Sequence, residues 1–496
     1  MRVVRINPGA AALTQSLRGL GYSPETALAD LIDNSIAAGA LRVEIDIAWA
    51  EGAPRVAVLD DGAGLDAAGL AAAMQFGGLG PAAVRGGQDL GRFGLGLKTA
   101  SLSQCRRMSV FSRRDGVTSA LAWDIDEIEA RGEWDAIVPD VLPGCGELGA
   151  ALNARANGTL IVWERMDEVG GLAGLDKETF FARIQDIRAH LGMVFHRFLS
   201  GDARRISVDV NGRAVVAWDP FLRGHPATIT MQTERLRGGA NSVSVTPYVL
   251  PHRDRFANEA DYEAAAGQGG WTERQGFYVY RAKRLVVAGG WLGLGGSRGW
   301  TREESSRLAR IAIELTSDAD AEWRIDVRKS VARPPGRLRA RLTALASACR
   351  QNAREVFAWR GGRGRNGPRA GPAEEFWVAR DAGAKTRYVI NRQHPAVQIL
   401  FQKLEASAAL LEGALALAER SVPVERIWLD VSEQGAAVAH VADEGELREL
   451  GARIAGLARG MDGDALTNAE TLLRTIPSPP AGLREAVLNS LEASDE

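Results

Sequence analysis

The 496-residue sequence contains little cysteine and no long apolar run, and each absence excludes a class of protein. Its cysteines, Cys105, Cys145 and Cys349, are widely spaced and odd in number, so they form neither a disulfide framework nor a paired metal motif. No run approaches the roughly 20 apolar residues that span a bilayer, and the opening residues lack the apolar core of a signal peptide. We therefore expect a cytoplasmic protein without membrane segments or structural zinc.

Lysine is also scarce: it occurs six times, and arginine supplies almost all of the positive charge. The formal net charge is −2, which by itself predicts no nucleic-acid binding. The charge is uneven along the chain, however. Residues 324–369 hold thirteen Lys and Arg against two acids, a net of +11, whereas residues 403–496 hold eight against seventeen, a net of −9. Two such segments indicate separate surfaces with different partners.

The length predicts about three domains at roughly 150 residues each. Helical and strand periodicities alternate over residues 1–175 and again over residues 176–335, which indicates two successive α/β domains. A basic helix and a linker rich in Gly, Pro and Arg follow at 336–372. Residues 373–496 are rich in Ala and Leu, and we expect a mainly helical C-terminal domain there.

Four short segments of the first domain carry residues that suit a ligand site. The first lies on a helix predicted over residues 23–38, where Asp30 and Asn34 are one turn apart and share a face. A carboxylate and an amide placed in this way can hold a water molecule and a metal ion side by side. An ordinary polar helix face is the alternative explanation.

The second segment, which follows an apolar strand, begins with Asp60 and includes Gly62 and Gly64. An Asp at a strand end can accept a hydrogen bond from an exocyclic amine, and the two glycines allow the backbone to approach a planar ligand. A strand-ending turn is the alternative, because Asp and Gly are common turn residues.

The third segment is glycine-rich and precedes a helix that carries Lys98 in its first turn. Glycines before a helix expose backbone N–H groups and the helix N-terminus to an anion, and the lysine adds positive charge. A long loop precedes these glycines, so the dinucleotide-binding fingerprint, which requires a strand, does not apply. The glycines concerned are Gly91, Gly94 and Gly96.

In the fourth segment, Thr159 opens a strand, and this feature alone indicates no particular ligand. In this order and at these separations, the four segments resemble the Bergerat nucleotide-binding fold of the GHKL ATPases. Gyrase B subunits, the ninety-kilodalton heat-shock chaperones, sensor histidine kinases and MutL share this fold. The resemblance implies an α/β sandwich that binds ATP and Mg²⁺ and hydrolyses ATP.

The resemblance also implies a role for each segment. Asp30 matches the position of the family's general base, and Asn34 matches the Mg²⁺ ligand. Asp60 matches the Asp that reads the adenine amino group, with Thr159 in support. The phosphate-covering lid corresponds to the glycine-rich segment and its lysine, that is, Gly91, Gly94, Gly96 and Lys98.

One departure from the family bears on catalysis. The family usually has Glu where this chain has Asp30, which is shorter by one methylene, or about 1.5 Å of reach. We therefore expect slower water activation or an adjusted backbone, and Asp33 is a second carboxylate close enough to assist. Because Asp30 is shorter than the usual Glu, a second class of function is the alternative: a nucleotide-binding scaffold that scarcely hydrolyses ATP and assembles a partner complex.

Within the superfamily, the segments at 76–80 and 91–101 look most like MORC proteins and their prokaryotic relatives, which are associated with defence against phage and mobile DNA. MORC, MutL and gyrase B share an S5-like transducer domain that sends one lysine to the γ-phosphate. Lys329 is placed for that role, and a solvated lysine at a strand end is the alternative. The resemblance thus implies a homodimeric clamp that closes on ATP. The C-terminal domain resembles no family that we can name. We expect it to provide a surface for a protein partner.

The basic segment 324–369 predicts a salt-dependent contact with DNA. If its arginines neutralise phosphates, the logarithm of affinity should fall with the logarithm of salt concentration at a slope near −0.9 per contact. Neutralising Arg337 or Arg341 should then reduce the slope by roughly one for any DNA sequence. Fluorescence anisotropy across several salt concentrations measures this slope.

Deletion of residues 403–496 separates the alternatives. The deletion should raise DNA affinity if the acidic tail covers the basic surface. The hypothesis of a DNA contact is rejected if neither the full chain nor the tail-deleted chain binds DNA at low salt.

Overall fold

Backbone contacts divide the protein into two compact units, Met1–Ala358 and Trp359–Glu496. The computed structural model describes the following residues: 9–19, 21–75, 96–139, 146–167, 169, 171–238, 241–296, 299–316, 322–325, 331–357, 376–382, 385–404, 408–422, 444–461, 463–474, 476, 480 and 482–492.

The first unit alternates helices and strands. Its described helices are α1 (Ala10–Arg18), α2 (Pro24–Ala37), α3 (Ala67–Met74), α4 (Gly96–Leu102), α5 (Ile125–Arg131), α6 (Gly146–Ala154), α7 (Lys177–Val194), α8 (His196–Ser200), α9 (Glu259–Ala266), α10 (Gly270–Glu273) and α11 (Gly336–Phe357). Its described strands are β1 (Arg42–Ala48), β2 (Arg55–Asp60), β3 (Cys105–Arg114), β4 (Val117–Asp124), β5 (Gly158–Met166), β6 (Ser207–Val210), β7 (Arg213–Ala214), β8 (Ile229–Thr230), β9 (Glu234–Gly238), β10 (Asn241–Val249), β11 (Gly276–Arg281), β12 (Arg284–Ala288) and β13 (Ala309–Leu315).

The first sheet has the strand order β4-β3-β5-β2-β1-β6-β7, and β1 and β6 are its parallel neighbours. Side chains alternate between the faces of a strand, and β2 is apolar on both. Val56 and Val58 join a large core with α2, α4 and α7, whereas Ala57 and Leu59 join a smaller core with α6. The sheet is therefore covered on both faces, which confirms the mixed α/β class.

Strands β6 and β7 correct one assignment made from the sequence. Their segments were expected in the second α/β domain, but β6 pairs with β1 and extends the first sheet. The reason is that Phe180, Ile184 and Leu191 of α7 are buried in the core of the first sheet. Helix α7 therefore brings the chain back to the edge of β1, and the expected boundary at residue 175 falls inside this layer.

The second sheet has the order β12-β11-β13-β10-β8, with β9 also paired to β10. Helix α11, which lies in the segment expected to hold a basic helix and a linker (336–372), packs on one face through a stripe of buried residues that includes Leu338, Leu342 and Ala346. Tyr278 and Tyr280 of β11 are buried on the opposite face. This sheet therefore also has a core on each side.

The second unit combines one hairpin with helices. Its described elements are β14 (Trp377–Ala382), β15 (Lys385–Ile390), α12 (Pro395–Lys403), α13 (Ala408–Ser421), α14 (Glu444–Gly460), α15 (Ala465–Arg474) and α16 (Leu483–Glu492). Helices α14 to α16 share an apolar core around Ile454, Leu472 and Leu483. In neither unit is any described helix both long enough and apolar enough to cross a membrane.

Candidate functional site

Helix α2 carries three of the polar residues of the predicted site and is buried along most of its length. Thr26 accepts a hydrogen bond from the backbone N–H of Ser23 at 3.0 Å, and Pro24 occupies the first turn, where its missing N–H costs nothing. Leu28, Leu31 and other apolar residues of this helix have no exposed surface. Packing on several sides therefore fixes the rotation of α2 about its own axis.

The carboxylate of Asp30 is buried at the start of α4. The hydroxyl of Tyr22 donates a hydrogen bond to Asp30 Oδ2 at 3.0 Å. A Cβ added to Gly96 would lie 3.6 Å from the same oxygen, so the α4 backbone comes close to it. Tyr22 was missed in the sequence analysis because a tyrosine just before a helix cap carries no distinguishing pattern.

Asp33 and Asn34 occupy different environments although they are adjacent. Asn34 is half-buried and lies one turn after Asp30, as predicted. Asp33 is fully buried, and its Oδ2 lies 3.2 Å from Nε of Arg284, a residue of β12 in the second sheet. The carboxylate expected to assist water activation is thus engaged in an ion pair.

The carboxylate of Asp60 is held at the end of β2. Ser35 Oγ donates a hydrogen bond to Asp60 Oδ2 at 2.8 Å, and the N–H of Gly62 donates to Oδ1 at 2.9 Å. Burial raises the pKa of Asp60, and these two hydrogen bonds lower it in part. Because Ser35 belongs to α2, the first and second predicted segments are hydrogen-bonded to each other.

The fourth segment joins the same network through β5. Thr159 is the register partner of Asp60 across β2 and β5. Its Oγ1 lies 2.9 Å from Ser112 Oγ, which accepts a hydrogen bond from the N–H of Leu65 at 2.8 Å. Thr159 therefore lies beside Asp60, as expected, and its hydroxyl is linked to the turn that follows β2.

Gly64 is required at its position for two reasons. Its φ is +65°, a conformation that L side chains rarely adopt, and an added Cβ would lie 1.9 Å from the carbonyl oxygen of Arg113. The backbone of the turn is thus pressed against β3, which explains the second glycine of the Asp-Asp-Gly-Ala-Gly segment.

Lys98 is buried, and its contacts lie within the protein. Its Nζ donates hydrogen bonds to the carbonyl oxygens of Ala73 at 2.9 Å and Gln75 at 2.6 Å, at the end of α3. Burial lowers the pKa of Lys98 to about 8, so the amine is still mostly protonated at neutral pH. Gly91, Gly94 and Lys329 lie outside the described residues.

Residues 22–159 match the family described as histidine kinase-, DNA gyrase B- and HSP90-like ATPase. The matched segment contains the whole hydrogen-bonded network on α2, β2 and β5, and it confirms a GHKL-type ATPase domain, for which ATP binding is implied. The chain has no match among curated proteins.

Replacement of Gly64 by Ala should lower the unfolding free energy by more than the strain of a left-handed backbone accounts for, because the new Cβ also clashes with Arg113. The matched control is Gly132→Ala, since Gly132 has a φ of +70° with nothing within 4 Å of an added Cβ. We expect the control to lose about 1 kcal/mol of unfolding free energy and Gly64→Ala to lose about 3 kcal/mol. Urea unfolding followed by tryptophan fluorescence measures both, and equal losses would contradict the close approach to Arg113.

Proposed function

We propose that the protein binds ATP with Mg²⁺ between α2 and the end of β2, and that it acts as an ATP-hydrolysing clamp that dimerises when ATP binds. The observation that carries the proposal is the hydrogen bond from Ser35 to Asp60, because it joins the two segments expected to contact the nucleotide. The family match over residues 22–159 supports the choice of ATP.

Asp60 fits the adenine end of the ligand. Its two oxygens already accept from Ser35 and Gly62, and each carboxylate oxygen can accept more than one hydrogen bond. The carboxylate is therefore fixed in orientation and still able to accept from an amino group.

Asn34 fits the metal end of the ligand. Mg²⁺ prefers oxygen ligands and usually keeps phosphate and water oxygens beside one or two protein groups. The described residues contain no cluster of three or more His, Cys, Asp or Glu side chains that could hold a metal ion. In this proposal, which follows the family resemblance, the amide oxygen of Asn34 would be the protein ligand, and the ion would neutralise charge on the phosphates.

Asp30 is placed as the general base in this proposal. The Tyr22 hydroxyl orients its carboxylate, which would accept a proton from the attacking water. The rest of catalysis is positioning and charge neutralisation, as in phosphoryl transfer generally. Lys98 would exchange its contacts with the carbonyls of α3 for phosphate oxygens, and Lys329 would couple the γ-phosphate to the second sheet.

The clamp's branch and partners are further parts of the proposal. The segments at 76–80 and 91–101 support a MORC-like branch with a role in defence against mobile DNA. Ion pairs within the chain reduce the positive charge that residues 324–369 can offer to DNA. Arg341 and Arg354 of α11 pair with Glu234 and Glu303, respectively. Arg337, Arg339 and Arg350 also have partners within the chain. A DNA contact would rest more on Arg360, Arg363 and Arg365, which lie outside the described residues.

The second candidate function is an ATP-binding scaffold with little hydrolysis. The observation that favours it is the short reach of Asp30, whose carboxylate is buried and already hydrogen-bonded to Tyr22. Phosphate release under saturating ATP distinguishes the two functions, and it should be measured with and without DNA.

Asp60→Asn should abolish adenine recognition. The amide presents a donor toward the adenine amino group, so we expect ADP affinity to fall by a factor on the order of 10². Because burial raises the pKa of Asp60, the folded protein holds this proton more tightly than the unfolded chain. As pH rises above about 4, ionisation of Asp60 should lower the unfolding free energy of the wild type, whereas the variant has no carboxyl group there. The unfolding free energy of the variant should therefore increase relative to that of the wild type. Calorimetric titration and thermal unfolding measure the two effects, and unchanged ADP affinity would contradict the site.

Asp30→Asn should retain ATP binding and lower the turnover number by a factor on the order of 10² or more. Asp30→Glu restores the residue usual in the family and should raise turnover or leave it unchanged. A phosphate-release assay with parallel ADP titration measures both variants. Wild-type turnover in Asp30→Asn would show that another group activates the water.

A further inference from the structure

The hairpin of β11 and β12 reaches from the second sheet to the core of the first. Its two-residue turn, Ala282 and Lys283, has φ values of +46° and +69°. Two-residue turns of this kind favour Asn and Gly, so the Ala-Lys turn is strained. Ala282 nevertheless packs against the core that contains α2. A strained turn persists where surrounding contacts over-determine it, and the hairpin is therefore firmly docked.

Arg284, the first residue after this turn, forms a buried ion pair with α2. Its Nε lies 3.2 Å from Oδ2 and 3.3 Å from Oδ1 of Asp33, and both side chains are at least 95% buried. One of its terminal nitrogens, Nη1, donates to the carbonyl oxygen of Leu285 at 2.9 Å. Neither charge can leave its partner without being stranded in a medium of low dielectric constant.

A histidine of α7 lies within the electrostatic reach of Arg284. His190 of α7 is the titratable neighbour whose pKa Arg284 affects. Burial is the main cause that lowers the pKa of His190 to about 3, and the positive charges of Arg284 and Arg274 lower it further. His190 is therefore neutral near pH 7 and does not compete with Arg284 for the Asp33 carboxylate.

We propose that Arg284 is a positioning residue for the nucleotide site, and that its ion pair with Asp33 sets the position of α2 from the second sheet. This inference rests on the proposed function for its consequence in catalysis. Asn34 directly follows Asp33 and Asp30 precedes it by one turn, so a shift of α2 displaces the predicted metal ligand and general base together. Small misplacements of such groups are costly. Asp60 lies on β2 and keeps its hydrogen bond from Gly62, so adenine binding should be less affected.

The first experiment requires no nucleotide. Hydrogen–deuterium exchange of the full chain is compared between the wild type and Arg284→Gln, in which the changed residue lies on β12. We expect the backbone amides of α2 to exchange about tenfold faster in the variant. The matched control is Arg302→Gln, the same substitution at an ion pair outside this hairpin turn, in which Nη1 lies 2.7 Å from Oε2 of Glu273, and it should leave α2 exchange unchanged. Unchanged exchange of α2 in Arg284→Gln would overturn the proposal.

The second experiment measures the Mg²⁺ dependence of ATP hydrolysis. Arg284→Gln and Asp33→Asn should raise the Mg²⁺ concentration for half-maximal rate about tenfold, as loss of a supporting partner does at metal sites. Binding of ADP without Mg²⁺ should change less than about threefold. The control is Glu25→Gln, also an acid-to-amide change on α2, whose partner Arg183 lies 3.3 Å away on α7. It should leave the Mg²⁺ dependence at the wild-type value.

The double variant Asp33→Asn/Arg284→Gln separates positioning from stability. It removes both buried charges, so it should recover thermal stability that the single variants lose. The proposal predicts that its Mg²⁺ dependence stays shifted, and a return of both properties to the wild-type values would overturn it. If the wild type hydrolyses no ATP, the proposed function fails, whereas the exchange experiment still decides whether Arg284 positions α2.

Discussion

The burial of α2 constrains the rest of the site. Leu28 and Leu31 are fully buried, so the helix cannot turn its polar residues toward water. Each buried polar group then needs a partner, because an unpaired one costs about 1–3 kcal/mol. The partners come from distant parts of the chain: Tyr22 for Asp30, Arg284 for Asp33, and Asp60 for Ser35.

This pairing connects a helix, a strand end and a second sheet around the proposed nucleotide site. The Ser35 hydrogen bond connects α2 to the carboxylate expected to read adenine, and the Arg284 ion pair connects α2 to β12. The second sheet is thus joined by a buried ion pair to the helix that carries the predicted metal ligand. In the clamp that we propose, this connection is the physical basis for coupling ATP chemistry to the conformation of the whole first unit.

The local structure around the site could be predicted from the sequence, and so could the type of ATPase domain that residues 22–159 match. Helix α2 and strands β1, β2 and β5 follow from apolar periodicity, and the Asp30–Asn34 spacing places both residues on one helix, one turn apart. Contacts between segments that are far apart in the chain could not be predicted from the sequence. Arg284 is 251 positions from Asp33, and β6 pairs with β1 after a long helical excursion. Lys98 was expected at a phosphate, and no local pattern indicates its hydrogen bonds to the carbonyls that end α3.

The most direct test of this account is a crystal structure of the full chain with Mg²⁺ and a non-hydrolysable ATP analogue. We predict that the adenine amino group donates a hydrogen bond to the Asp60 carboxylate and that the amide oxygen of Asn34 coordinates Mg²⁺. The Asp30 carboxylate should then face the γ-phosphate through a water molecule. A nucleotide bound elsewhere, or adenine placed away from the end of β2, would contradict the account.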